Sequence, residues 1–406
     1  MKLLRTIITT TESRFLGIIL IVFSLLRLPS LFEPLWYGDE GIYQVLGRAV
    51  LHGTTLYQGI WDNKPPFLYL TYALVNADQF AIRLLSFLAG ILSVYGFYLL
   101  TKRLFTTNNA RVLSTALFAI LFSIPATEAN IANAENFLLV FVIFAGLCVF
   151  EATGQKEIKK QKKLFFTAGL LMGIAFLYKT VAVLDLSAFL LFAACVSLQK
   201  NRLFAKTNTK NLFDTLRPLL WGFLIPLLIT CIAFLLTGSL SSFLSATFTE
   251  NYSYVGYKNF LLIPQGLLLL KLLLLLLFVL YLFRNRISFS PSALFILFWF
   301  SFSLLNVFFS QRAYTHYLLV GITAFSLLVG LTVSEKKQRL LYILLLVGSL
   351  FITYSVFPLM KPGKIAAYYT NFLSYVSGNK STTAYYAFFD EDVPEEIGRA
   401  SCRERV

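Results

Sequence analysis

Charged side chains concentrate in one stretch of this otherwise apolar chain, between Trp36 and Tyr69. Its titratable residues are Asp39, Glu40, Arg48, His52, Asp62 and Lys64. A carboxylate beside a reacting centre can take the proton from an attacking hydroxyl or amine. Lysine or arginine donors can stabilise the charge of a departing phosphate in a low-dielectric site. We therefore interpret this stretch as the active site.

Two short elements are predicted to position these side chains. Between Gly38 and Gly53, apolar residues recur at helical spacing: Ile42, Val45, Leu46, Ala49 and Val50. This pattern predicts a short helix with Asp39 near its N-terminus. A helix of this kind that follows a spanning segment is expected to lie in the membrane interface. The two prolines after Lys64 end any helix and fix the approach of the lysine, and residues 66–76 predict a second interfacial piece.

The composition excludes an ordinary soluble domain, because 57% of the residues are hydrophobic and only 14% are charged. Apolar runs of about 20 residues predict an all-α polytopic membrane protein with about 11 transmembrane helices. The predicted spans are 15–33, 80–100, 112–126, 134–150, 164–178, 181–198, 219–237, 263–283, 292–310, 314–333 and 340–357.

The net charge of +15 reflects topology rather than a nucleic-acid partner. Lys and Arg are abundant in every second loop, as the positive-inside rule requires. This pattern predicts a cytoplasmic N-terminus. The acidic residues lie mainly in the alternate loops, which are predicted to be extracytoplasmic. The Trp36–Tyr69 stretch is one of these and is expected to face the extracytoplasmic space.

Other outer segments add candidate groups to the site. Glu135 opens the fourth predicted span and is either a helix-capping acid, favoured by the helix dipole, or a second acid that faces Asp39. Lys179 lies at an outer helix end and either snorkels or binds an anionic head group. A later outer turn, between the ninth and tenth predicted spans, holds Arg312, His316 and Tyr317. Such a turn suits an anionic phosphate or a membrane-interface anchor.

Asp185 is predicted to lie inside the sixth span, as a functional carboxylate or as a hydrogen-bond partner of a neighbouring helix. The cysteines do not form a disulfide or metal-binding pattern, and only two histidines occur, which excludes a multi-histidine metal site. A divalent cation with oxygen ligands stays open.

The sequence divides into three parts. Residues 1–357 are expected to form the transmembrane domain, and residues 358–394 to begin an extracytoplasmic segment that is too short to fold alone. Residues 395–406 change abruptly to charged residues and are interpreted as a non-native tail after a truncation.

Several motifs carry a resemblance to a known family. They are Gly38-Asp39-Glu40-Gly41-Ile42-Tyr43, Lys64-Pro65-Pro66-Phe67-Leu68-Tyr69, Arg83-Leu84-Leu85, Ala134-Glu135-Asn136-Phe137-Leu138, Tyr178-Lys179 and His316-Tyr317. With these motifs, residues 15–330 resemble the type-C polytopic glycosyltransferases, specifically the protein O-mannosyltransferase and aminoarabinose-transferase-like superfamily.

The resemblance implies an inverting transfer of a sugar from a polyprenyl-phosphate donor to an extracytoplasmic acceptor, in a bacterial inner membrane. It implies that Asp39 is the base and that Lys64 contacts the lipid phosphate. We expect catalytic roles for Asp39, Glu40 and Glu135, and substrate binding by Lys64, Asp62, Arg83, Lys179, Arg312, His316 and Tyr317. Members often carry Glu before the Lys-Pro pair, where this chain has Asn63, so any metal that relies on that Glu is in question. The alternative function is a transporter of lipid-linked saccharides.

Overall fold

The computed structural model describes residues 11–200, 206–251 and 259–390, which are helical with two isolated β-bridges in place of strands. In chain order the helices are α1 (Thr11–Arg27), α2 (Gly38–Leu51), α3 (Phe67–Leu74), α4 (Gln79–Leu104), α5 (Asn108–Leu121), α6 (Ala134–Gly154), α7 (Ile158–Tyr178), α8 (Ala182–Lys200), α9 (Lys206–Leu236), α10 (Leu240–Leu244), α11 (Gly266–Arg284), α12 (Pro291–Val307), α13 (Leu318–Ser334), α14 (Arg339–Val356), α15 (Pro362–Val376) and α16 (Thr382–Asp390).

Each predicted span coincides with a helix: α1, α4 to α9 and α11 to α14. Seven apolar segments in the described part are long enough to cross a membrane; they lie in α1, α4, α6, α9, α11, α13 and α14. Helices α8 and α12 are apolar but shorter. Helix α5 has 14 residues, and α7 begins in a lysine-rich turn. The described residues are therefore all-α, with seven segments long and apolar enough to span a membrane, whereas the count of 11 spans remains a prediction.

Small residues allow α7 and α9 to pack closely. A Cβ atom added at Gly169 would lie 2.1 Å from the carbonyl oxygen of Leu219, and one added at Gly222 would lie 2.2 Å from that of Phe166. Gly173, one turn along from Gly169, faces α9 in the same way. Within a lipid bilayer the hydrophobic effect does not drive helices together, so they associate through close packing at small residues.

Helix α12 lies at the centre of the bundle, and most of its side chains are buried. Its Trp299 donates a hydrogen bond from Nε1 to Asp185 Oδ1 at 2.8 Å. Asp185 thus hydrogen-bonds a neighbouring helix, which is one of the two roles predicted for it. By contrast, α9, α11 and α14 leave most of their apolar side chains exposed, as expected of helices that face lipid.

The predicted helix after the first span is present as α2, and its predicted apolar positions divide between a buried side and an outward side. Ile42 and Val45 are exposed, whereas Tyr43 and Leu46 are buried. Gly47 lies so close to α3 that a Cβ atom there would meet Tyr72 Cβ at 2.9 Å. The helix therefore has apolar side chains on two sides, one against the protein and one outward. The outward side suits a lipid interface, which remains a prediction.

The segment after the last predicted span is folded. Helices α15 and α16 share a small core of Tyr368, Phe372, Tyr385 and Phe389. Phe372 packs on Phe32 with ring centroids 5.4 Å apart, so this pair of helices rests on the link between α1 and α2. The proposed tail, residues 395–406, lies outside the described residues.

Candidate active site

The first turn of α2 points two adjacent carboxylates in different directions. One residue advances the helix by about 100°. Asp39 is partly exposed, and its Oδ2 accepts a hydrogen bond from the Tyr43 hydroxyl at 3.2 Å. Glu40 is fully buried, and its Oε1 accepts from Arg83 Nε at 2.6 Å and from the Ala132 amide at 2.7 Å. The two acids therefore have different environments.

Arg83 joins two buried carboxylates. Besides both oxygens of Glu40, it contacts Glu33 Oε2 through Nη1 at 2.8 Å. The same Nη1 donates to the carbonyl oxygens of Ser30 and Asn130 at 3.0 and 3.1 Å. All three charged side chains are at most 1% exposed. Glu40 and Arg83, expected from the sequence to act on substrate, are engaged with each other and with Glu33, away from solvent.

Lys64 and Asp62 lie in the segment just before α3, near the Tyr43 ring. The Lys64 ammonium is 4.9 Å from the Tyr43 ring centroid and 3.8 Å from Asp62 Oδ2. Asp62 Oδ2 also accepts from the Tyr69 hydroxyl at 2.7 Å, and Tyr57 donates to the Lys64 carbonyl oxygen at 2.7 Å. These bonds hold the segment before the two prolines in place.

The Tyr43 hydroxyl is a stable hydrogen-bond donor. Burial raises the pKa of Tyr43 well above its usual range, and the nearby carboxylates of Asp39, Asp62 and Glu135 raise it further. The phenol therefore stays protonated near neutral pH and donates to Asp39.

Glu135 and Lys179 form an ion pair between the start of α6 and the end of α7. Glu135 is 2% exposed, and the Lys179 side chain is 18% exposed. The Lys179 ammonium also lies 4.4 Å from the Tyr317 ring centroid, a cation–π distance. The structure thus brings together three predicted site residues from distant parts of the chain.

Glu128 is a further group that sequence reasoning did not assign to the site. It accepts from the Tyr37 hydroxyl at 2.7 Å, from His316 Nδ1 at 2.9 Å, and from the Thr315 hydroxyl. Glu128 has a left-handed backbone, φ 55°, which is uncommon for a residue other than glycine. Its position in an acidic outer loop was the available signal, but its partners come from remote segments.

The Glu128 carboxylate is held in its charged form. Burial raises its pKa, but the hydrogen bond and charge of His316, with the hydroxyls of Thr315 and Tyr37, outweigh burial, so the pKa lies below its ordinary value. Burial raises the pKa of Tyr37 well above its usual range, and the charges of Glu128 and Asp39 add to that rise. Tyr37 therefore connects the Glu128–His316 pair with the neighbourhood of Asp39.

Arg312 lies half-buried in the turn that leads to His316, and its backbone amide donates to the Ser310 hydroxyl at 3.4 Å. No three His, Cys, Asp or Glu side chains come together as a metal-binding cluster within the described ranges.

Known proteins share part of this pattern. Residues 64–213 match the family model described as dolichyl-phosphate-mannose-protein mannosyltransferase. No curated protein matches the chain significantly.

Similar solved structures are distant in sequence. The oligosaccharyltransferase of Archaeoglobus fulgidus in the apo form has 15% identity and a TM-score of 0.49, over 86% of this chain and 55% of that chain. ArnT from Cupriavidus metallidurans, bound to undecaprenyl phosphate, has 15% identity and a TM-score of 0.47, over 92% and 74%. The Archaeoglobus enzyme in complex with Zn and sulfate has 14% identity and a TM-score of 0.42, over 93% and 53%.

This chain therefore spans about half the length of that oligosaccharyltransferase. The family match begins at Lys64 of the Lys-Pro-Pro motif, after the Asp39-Glu40 pair. Over residues 64–213, the family match confirms that the chain resembles the protein O-mannosyltransferase branch of the type-C polytopic glycosyltransferase superfamily.

Proposed function

We propose that the protein is an inverting glycosyltransferase that moves a sugar from a polyprenyl-phosphate-linked donor to an extracytoplasmic acceptor, with Asp39 as the base. One observation carries the proposal: Tyr43 holds a partly exposed carboxylate and a lysine ammonium in one place. Its hydroxyl donates to Asp39 at 3.2 Å, and its ring lies 4.9 Å from the Lys64 ammonium. A base and a cation so close together suit a nucleophilic displacement at the anomeric carbon of a sugar, with a phosphate as the leaving group.

The reaction is a single displacement. An acceptor oxygen or nitrogen attacks the anomeric carbon of the sugar, and its proton passes to the Asp39 carboxylate. The bond between the anomeric carbon and the phosphate oxygen breaks, and the lipid phosphate leaves with that electron pair. Attack from the side opposite the phosphate inverts the configuration at the anomeric carbon.

Lys64 is proposed to stabilise the leaving phosphate. Its ion pair with Asp62 is long, 3.8 Å, and both side chains are partly exposed, 22% and 17%. The attraction in a pair falls with distance, so a phosphate oxygen at hydrogen-bonding distance can compete with Asp62 for the ammonium. Lys179 and Arg312 are proposed as further cations on the same side of the bundle.

An apolar cavity supports a lipid-linked substrate. It has a volume of about 250 Å³ and lies between the ends of α5, α12, α13 and α14. Its wall includes Ile124, Thr127, Val307, Leu318 and Ile322. Thr127 precedes Glu128 and Leu318 follows Tyr317, so the cavity borders the segments that carry the Glu128–His316 pair. An isoprenoid chain would bury apolar surface there.

The test is an assay in lipid vesicles with radiolabelled polyprenyl-phosphate sugars. Wild type is expected to release lipid phosphate and label an acceptor, and Asp39→Asn to lose both. Asp78→Asn is a matched control, because Asp78 is an exposed helix N-cap on the same predicted side, and asparagine also caps helices. Asp39→Asn activity equal to that of the control would refute the proposal.

The alternative, a transporter of lipid-linked saccharides, depended on the intramembrane Asp185. That carboxylate is 2% exposed and hydrogen-bonded to Trp299, a contact that a structural role explains. Movement of labelled donor across the vesicle membrane without covalent transfer would favour the transporter.

A further inference from the structure

The helix pair α15–α16 lies directly on the segment that leads into α2. Phe372 packs on Phe32 with ring centroids 5.4 Å apart, and Phe389 packs on Trp36 at 5.9 Å. Neither helix falls within the family match at residues 64–213. The sequence assigned no role to this pair, so its contact with the entry to α2 needs an explanation.

Tyr368 of α15 reaches the buried ionic group. Its hydroxyl, in a side chain that is 4% exposed, donates to Glu33 Oε1 at 2.5 Å. The same carboxylate accepts from Asn130 Nδ2 at 2.9 Å, from Trp36 Nε1 at 2.9 Å and from Arg83 at 2.8 Å. Burial raises the pKa of Tyr368 well above its usual range, and the charge of Glu33 raises it further. The hydroxyl therefore stays protonated and remains a donor.

From Glu33 the contacts continue to the first turn of α2. Arg83 binds both Glu33 and Glu40, and Glu40 is joined to Asp39 by one peptide bond. Glu40 also accepts from the amide of Ala132, in the same loop as Glu128. The buried group therefore fixes the turn that carries Asp39 and the loop that carries Glu128 at once.

We propose that Tyr368 is a positioning residue for sugar transfer: through Glu33, Arg83 and Glu40 it sets the place of the Asp39 carboxylate. This inference rests on the proposed function. A displacement of about 1 Å at a reacting group can cost up to about 10²-fold in rate. Loss of the Tyr368 hydroxyl leaves the carboxylate of Glu33 with fewer donors, so the position of the Arg83–Glu40 pair is less strictly determined.

The experiment compares Tyr368→Phe with Tyr369→Phe in the full chain. Tyr369 is the matched control: it lies on the same helix and donates to the Leu26 carbonyl oxygen at 3.2 Å, outside the ionic group. Tyr368→Phe is expected to lower kcat about tenfold, with the donor KM within about twofold of wild type. Adding Glu33→Gln is expected to lower kcat by less than the product of the single effects.

A second measurement does not depend on activity. Hydrogen exchange at the Ala132 amide reports on its bond to Glu40. Tyr368→Phe is expected to speed this exchange several-fold relative to Tyr369→Phe. Equal kcat in the two variants overturns the inference, even if exchange is faster, because the hydroxyl then serves stability alone.

Failure of the proposed function is recognised separately. If wild type shows no transfer that depends on Asp39, the proposed function fails. In that case faster exchange at Ala132 still supports the connection from Tyr368 to Glu40, and unchanged exchange overturns it.

Discussion

Two groups of charged side chains meet at the peptide bond between Asp39 and Glu40, and they differ in burial and in contact distance. The inner ion group is Glu33, Glu40 and Arg83, with contacts of 2.5 to 2.8 Å and at most 1% exposure. The outer ion group is Asp39, Asp62 and Lys64 around Tyr43, with contacts of 3.2 to 4.9 Å. Buried charges need full pairing, whereas a base needs room for a proton and a substrate.

The comparison shows that the two adjacent carboxylates of the Asp39-Glu40 motif lie in different environments. Glu40 is fully buried, and its carboxylate is bound by Arg83 and by the Ala132 amide. Asp39 has one long hydrogen bond from Tyr43 and access to solvent. Under the proposed function, Glu40 holds the site together and Asp39 reacts, and the predictions below test that division.

The largest expected effect is on catalysis at the outer ion group. Asp39→Asn is expected to lower kcat about 10²- to 10⁴-fold, because the base is lost. Its thermal unfolding is expected to match wild type, since Asp39 is partly exposed and makes one bond. Initial rates and melting curves in the same detergent measure both. An Asp39→Asn variant that melts much earlier would place Asp39 in the inner group instead.

The next effect is on stability at the inner ion group. Arg83→Gln leaves two carboxylates buried without their cation and is expected to destabilise the fold by about 3–5 kcal/mol. Arg103→Gln is the control, because its pair with Glu151 is exposed, 61% and 33%, and such pairs contribute about 0–1 kcal/mol. Denaturant or thermal unfolding measures the difference. Equal losses in the two variants would contradict the distinction between buried and exposed pairs.

A smaller effect is expected on donor binding. Lys64→Gln is expected to raise the KM for the polyprenyl-phosphate sugar about tenfold, the loss of one charge-assisted contact, while Lys64→Arg keeps the charge and part of the affinity. Lys361→Gln, an exposed change near the start of α15, is expected to leave KM unchanged. A KM for Lys64→Gln equal to that of Lys361→Gln would remove Lys64 from the phosphate site.

The smallest effect concerns pH and Glu128. Because the pKa of folded Glu128 lies below its ordinary value of 4.5, its contribution to stability is present above that pH and is lost as the pH falls through the folded pKa. The difference in melting temperature between wild type and Glu128→Gln is therefore expected to shrink below about pH 4.5. Melting curves from about pH 7 to about pH 3, which extend below the ordinary carboxyl pKa, measure it. A difference that widens toward acid would reverse the assignment of the charged form.

The sequence predicted the elements of the fold better than the contacts of the site. Hydropathy located each helix of the bundle, and helical spacing located α2 with Asp39 in its first turn. It did not predict which side of α2 is buried, because Ile42 and Val45 form an apolar face as suitable for lipid as for a protein core.

The site residues show the same limit. Lys179, Glu135 and Tyr317 were each expected on the outer side, and the structure brings them together. Their roles in the reaction remain proposals. Glu128 was not assigned to the site, because its hydrogen-bond partners Tyr37 and His316 lie 91 and 188 residues away from it in the chain.

The sequence by itself determined the helical membrane architecture, the family resemblance and the stretch that holds the acids and the lysine. Hydropathy and helical periodicity depend on residues that are close in the sequence, so they can be recognised without knowing the fold. Only the tertiary structure decided which acid is buried, that Arg83 binds two carboxylates, and that Tyr368 reaches Glu33 across 335 residues of chain. Such pairings depend on how helices pack, and the burial that gives each charge its environment exists only once they have packed.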